Sequence, residues 1–301
     1  MLYLFLQVVF ASAFMLIIKW TQIREREDVI TVGCINYIVA SLSVLPVVLS
    51  GALVAEEAVA TVDGELSPLT GAIISGGSMG LSYFIAYFFA MYAIATVGAS
   101  RATVVSVLSI LFPIGIAAAI WQQQPNLFQW VGIVLALFAL ILIGVQKQKA
   151  GNDQTKTKTV LWSAPLILFI FFLLCGCSRI AQEAFKHVSE AGFRPVFLLA
   201  GFAMAALPSL GLLIYKWRVP TAKEFGLGIA MGLSNIIQVQ FTLVSLDIFP
   251  GYIVFPVCSA GGIVLTTLVA TGLMKEKLTV RAVIGIAVSV VALFMLHWLP
   301  A

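Results

Sequence analysis

Charge is what this sequence has least of. Lys, Arg, Asp and Glu make up 10% of its 301 residues, against about a quarter in soluble domains. With 61% hydrophobic residues, a water-soluble fold of this size lacks the ions to cover its surface. The sequence is that of a polytopic membrane protein. The net charge of +4 points to no nucleic acid, because the basic residues stand between apolar runs and form no tract. Cysteine and histidine are nearly as scarce. Cys34, Cys175, Cys177 and Cys258 all lie inside apolar runs, and Cys175 and Cys177 are one residue apart, not the two of a zinc or redox pair. His187 and His297 stand alone. No metal and no cofactor is expected. No phosphate-binding loop of the G-x-x-x-x-G-K type occurs, so no ATP-driven step is expected within this chain. No converging His, Asp, Glu, Ser or Cys set stands at one depth, so an enzyme is not expected either.

What remains is a series of apolar segments, each near the roughly 20 residues that cross a bilayer. The first covers residues 1 to 20 and closes on Lys19 and Trp20. Ala11-Ser12-Ala13 resembles a signal-peptidase site, but no basic residue precedes the apolar run and the run continues past it, so it reads as a membrane helix. Further helices are expected at about 29–50, 70–97, 99–121, 127–146, 160–183, 193–215, 225–248, 251–273 and 278–299. One long acidic loop, Ala52 to Thr70, carries Glu56, Glu57, Asp63 and Glu65. The most polar stretch, 147–159, holds Lys147, Lys149, Lys156 and Lys158 and reads as a hydrated linker.

The two sides of that linker repeat each other. Gly80-Leu81-Ser82-Tyr83 matches Gly232-Leu233-Ser234-Asn235, and the G-x-x-x-G pair Gly76/Gly80 matches Gly228/Gly232 at the same offset of 152. Gly132-Ile133 with Ala139-Leu140 matches Gly285-Ile286 with Ala292-Leu293, and Leu45-Pro46 matches Leu207-Pro208. The expected fold class is therefore all-α, with ten transmembrane helices as two inverted five-helix repeats, 1–146 and 160–301. Five is odd, so the halves are expected in opposite orientations, with a solute site between them near the mid-plane. Fourteen of the 17 Lys and Arg residues fall on the face that includes the linker. The linker is then cytoplasmic and both termini face outward.

The most informative segment is Gly226 to Pro250. It is long and apolar enough to cross a bilayer, yet it carries Asn235, Gln238, Thr242 and Ser245, spaced three, four and three apart, which places all four on one helical stripe. Such a stripe faces either a wet pathway or other helices. The pathway reading makes these four residues substrate-binding, with Tyr83 and Tyr87 approaching from the repeat-related helix. Arg179 and Glu183, four apart near the outer end of the sixth helix, are the candidates for a gate or for coupling. The membrane centre reads as uncharged. That disfavours phosphate esters, which need buried cations, and organic cations exchanged for protons, which need a buried carboxylate.

Ten helices in two halves, with the stretches Pro113 to Gly144 and Pro256 to Leu296, resemble the drug/metabolite transporter superfamily and within it the EamA-type permeases. Glu276 after Lys275 occupies the place of that family's Gly-Glu pair in the second half, whereas the first half has Gln123 and Gln124. The resemblance implies export or exchange of a small metabolite such as an amino acid, without ATP. The expected activity is secondary transport of a small neutral or zwitterionic solute by alternating access. A drug or organic-cation exporter of the same fold and a non-transporting scaffold are the alternatives. The partners expected are a small-molecule substrate and the lipid bilayer of the inner (plasma) membrane, with no nucleic acid. A monomer and a homodimer both remain open.

Overall fold

In the computed structural model, residues 1–21, 28–50, 67–97, 99–122, 125–144, 164–274 and 280–297 are described. Among them the chain is helical, with no strand. In order come α1 (Leu2–Trp20), α2 (Val29–Leu49), α3 (Pro68–Val97), α4 (Ala99–Leu108), α5 (Leu111–Ala119), α6 (Leu127–Gly144), α7 (Ala164–Val188), α8 (Arg194–Tyr215), α9 (Ala222–Ile248), α10 (Gly251–Met274) and α11 (Val280–His297). Among the described residues, seven helices are long and apolar enough to cross a membrane: α1, α2, α3, α7, α8, α9 and α10. The apolar stretches Val104–Ala119, Leu127–Leu142 and Val283–Leu296 are shorter. The linker 147–159, the acidic loop side chains Glu56, Glu57, Asp63 and Glu65, and Gln123, Gln124, Lys275 and Glu276 lie outside the described residues.

The sequence predicts one helix over 99–121, and the structure divides it. Pro113 is the cause. Proline has no N–H, and its ring collides with the carbonyl four residues back. The Ser109 carbonyl accepts from the Phe112 N–H instead, at 3.2 Å, and the Ile110 N–H turns to the Val107 carbonyl at 3.1 Å. The chain restarts as α5 with Pro113 in its first turn, where proline is tolerated.

Glycines set how closely the helices cross. A Cβ on Gly76 or Gly80 of α3 would run into the α8 backbone at Phe197 and Gly201. One on Gly228 of α9 would run into the Ile35 side chain of α2, and one on Gly232 would run into the Asn36 carbonyl. Both G-x-x-x-G pairs therefore serve near-contact of backbones, the arrangement that gives membrane helices their dispersion attraction. On the same plan α7 packs along α3 and α1 along α9, while α6 and α11 pair with each other. Three clusters of buried apolar side chains result among the described residues. One gathers Tyr37, Met79, Phe185, Phe197, Phe202 and Leu243. A second gathers Leu4, Ile110, Ile133, Leu140, Phe255 and Leu296. A third, Ala86, Ala93, Ala102, Ile167 and Phe171, joins α3, α4 and α7. Leu127, Leu207 and Phe294 stand exposed on the outside, the side that lipid covers in a membrane-spanning protein.

Polar ties close both ends of the α2–α8–α9 group. At one end Asp28 caps α2, accepting from the Ile30 N–H at 3.1 Å and the Thr31 hydroxyl at 2.7 Å. It also pairs with Lys216. Its own N–H donates to Glu224 Oε1 at 3.2 Å. Glu224, which forms the α9 capping box with Thr221, also pairs with Arg218. Burial pushes the Asp28 carboxyl up, but Lys216, Thr31 and the Ile30 N–H outweigh it and hold the group below the ordinary aspartate range. At the other end Arg194 pairs with Asp247. There the Lys186 ammonium donates to the Leu246 carbonyl at 2.7 Å, and the Ser189 hydroxyl to the Pro68 carbonyl at 2.6 Å.

Candidate functional site

The α9 stripe begins with an amide chain. Asn235 Nδ2 donates to Asn36 Oδ1 on α2 at 3.1 Å, and Gln238 Nε2 donates to Asn235 Oδ1 at 2.9 Å. Asn36 Nδ2 in turn points at the Gly33 carbonyl, 3.5 Å away. Asn235 is sealed, at 3% exposure, and Asn36 at 1%, whereas Gln238 is half-buried. A buried amide without partners costs on the order of 1–3 kcal/mol, so the Asn36–Asn235 pair also welds α9 to α2. The Thr242 hydroxyl donates back to the Gln238 carbonyl at 2.9 Å, within its own helix. Ser245 is fully buried, and its Oγ has no hydrogen-bond partner among the described residues. Of the four stripe residues, Gln238 is the half-buried one at the end of the amide chain.

The two tyrosines part company. The Tyr87 hydroxyl donates to the Val29 carbonyl at the start of α2, at 2.6 Å. Its ring lies where a Cβ on Gly33 would sit. Tyr83 joins α7 instead: its hydroxyl accepts from Gln182 Nε2 at 2.8 Å, and its carbonyl accepts from the Tyr37 hydroxyl at 3.2 Å. Arg179 and Glu183 also reach different neighbours. Arg179 Nη1 donates to the carbonyls of Ser106 at 3.4 Å and Cys175 at 3.2 Å, and to the Ser109 hydroxyl. Ser106 lies in the last turn of α4 and Ser109 in the α4–α5 break. The Glu183 carboxylate is fully buried, lies 4.0 Å from His187 Nε2, and covers Gly251 at the start of α10. The positive end of a helix favours an anion there. The His187 ring stacks on Trp121 at 4.3 Å.

The sequence expectation of an uncharged centre, with Arg179 at a helix end, does not hold. The sixth helix reads as ending at 183, but α7 continues to Val188, where Lys186 finds its carbonyl partner in α9. Arg179 is then nine residues from that end, roughly 13 Å along the axis at 1.5 Å per residue. Sequence reasoning also missed Asn36, Gln182, Ser109 and Tyr37. Gln182 had a signal, since it stands three residues from Arg179 and so shares its face. Asn36 had only the oddity of an amide in an apolar helix. Together the group offers amides, hydroxyls, a phenol and one guanidinium, groups that bind a polar solute by hydrogen bonds.

Three comparisons place these features. Residues 1–145 match the EamA-like transporter family, which lies within the drug/metabolite transporter superfamily, as the sequence resemblance implied. An uncharacterized protein of Haemophilus influenzae is 27% identical over 205 residues, which is 67% of this chain and 67% of that protein. A solved crystal structure superposes over 98% of this chain and 96% of its own, with a TM-score of 0.69 and 16% identity. That last likeness is one of fold alone.

Proposed function

We propose, from the premise that residues 1–145 belong to the EamA-like transporter family, that the whole chain is a secondary transporter. It moves a small neutral or zwitterionic, amino-acid-like metabolite across the inner membrane by alternating access, in the direction of export or exchange. The seven long spans and the three shorter apolar stretches make ten crossings in two inverted repeats, 1–146 and 160–301, joined by a cytoplasmic linker. The packing supports this reading. α7 lies on α3 as α1 lies on α9, and α8 crosses α3 as α2 crosses α9, which is the exchange that a pseudo-two-fold axis produces. The solute passes between the halves, alongside α9.

The observation that carries the proposal is the half-buried Gln238 amide, one turn from the sealed Asn36–Asn235 pair, inside a helix long and apolar enough to span the membrane. A scaffold has no use for it. The interior guanidinium of Arg179 disfavours an organic-cation exporter, since like charges repel most strongly where water is scarce. Single cysteines at 235, 238, 242 and 245, in a background without the native cysteines, test the pathway. A small water-soluble thiol reagent should label the stripe in folded protein, most readily at Gln238→Cys, and a transported solute should protect it. Failure of all four positions to label, with and without solute gradients, overturns the pathway.

A further inference from the structure

We infer that Arg179 is the seat of an anionic group on the transported solute, and that this group is a carboxylate. This rests on the transport reading above and adds to it the residue that holds the anionic group of the solute. Arg179 lies inside the span Pro165–Val188, where a cation is costly unless its charge is used. The hydrogen bonds it makes among the described residues all leave from Nη1, and all end on neutral oxygens: the Ser106 and Cys175 carbonyls and the Ser109 hydroxyl. Nε and Nη2 make none, and neither is among the polar atoms sealed from water without a partner. The unused edge of the guanidinium is the one that presents two parallel N–H groups, the geometry that grips a carboxylate through both oxygens.

The surroundings suit the same ligand. Nη1 is spent on the carbonyl end of α4, where the helix dipole is negative, so the side chain is held in one orientation before any solute arrives. The Ser109 hydroxyl donates to the Ser106 carbonyl at 2.6 Å while accepting from Arg179, which locks that contact further. One turn along α7, Gln182 donates to the Tyr83 hydroxyl, and a phenol that accepts still has its own hydrogen to give. The site thus offers a bidentate cation and a neighbouring hydroxyl donor. A lysine would cap the α4 carbonyls equally well as a point charge. The planar fork with one edge spent and one edge open is what a carboxylate needs.

The test compares acids with their amides on the full-length purified protein. The probes are the proteinogenic amino acids, simple 2-oxo acids, and the α-carboxamides of the amino acids. Binding is read by thermal stabilisation in detergent and transport by uptake into proteoliposomes. At least one free acid should bind wild-type protein with its amide about 10-fold weaker or worse, the size expected for a charge-assisted hydrogen bond. Arg179→Gln should bind acid and amide alike, and Arg179→Lys should keep part of the preference. Equal binding of acid and amide by wild type overturns the inference, as does an acid preference that survives in Arg179→Gln. If Arg179→Gln does not fold, the wild-type ratio and Arg179→Lys decide: an undiminished preference in Arg179→Lys contradicts the bidentate grip. Binding of none of these acids at millimolar concentration also overturns it. Cysteine labelling on α9 together with flux of an uncharged solute would sink the carboxylate seat and leave the transport reading standing.

Discussion

Asn235 and Gln238 sit one turn apart on α9, yet they answer to different neighbours. Asn235 is sealed against Asn36, and Gln238 is the half-buried end of the chain. Replacing Asn235 with leucine strands the Asn36 amide in an apolar setting, at a cost of about 1–3 kcal/mol. Replacing Gln238 removes one donor at a place that remains partly open. Asn235→Leu should therefore lower the melting temperature in detergent clearly more than Gln238→Leu, while Gln238→Leu yields folded protein with impaired transport. Equal loss of stability in both would make the stripe purely structural. The spacing of the stripe was legible in the sequence because a period of 3.6 is local information. Its division into a weld and an open end was not, because that depends on Asn36, 199 residues away in the chain.

At the scale of elements, the glycine pairs were legible and their partners were not. A G-x-x-x-G pair announces close packing without saying against what. The structure assigns α3 to α8 and α9 to α2, and in doing so separates glycines that look alike. Gly80 faces the Gly201 carbonyl, whereas a Cβ on Gly77 would meet nothing within 4 Å. Gly80→Ala should destabilise by about 1–3 kcal/mol, the usual cost of overpacking. Gly77→Ala should be neutral or slightly stabilising, because alanine is the better helix former. Thermal unfolding of the two variants side by side checks this, and equal effects would contradict the crossing. The α4–α5 break was half legible. Pro113 was visible, but membrane helices often run through proline, and only the rearranged bonds of Ser109 and Ile110 show that this one does not. The depth of Arg179 was lost to a helix end read five residues too early.

At the scale of the molecule, composition alone secured the membrane class, because 10% charge leaves no soluble alternative. Orientation is the next expectation. Asp28, Lys216, Arg218 and Glu224 gather at one end of the helix bundle, and Lys186, Arg194 and Asp247 at the other. The sequence puts the excess of Lys and Arg on the first side, so that side is expected to be cytoplasmic. A reporter active only in the cytoplasm should stay silent when fused at Ala301 and be active when inserted between Lys149 and Lys156. The opposite pattern would invert the topology.

Proteoliposomes containing only the purified protein test the proposal that this chain carries a small polar solute between its halves without ATP. Vesicles preloaded with a broad metabolite mixture should take up a labelled member of that mixture by counterflow. The uptake should be saturable, need no nucleotide, and fall about 10-fold or more in Gln238→Leu or Arg179→Gln. Protein-dependent flux absent across the whole mixture, with and without a pH gradient, would contradict the claim.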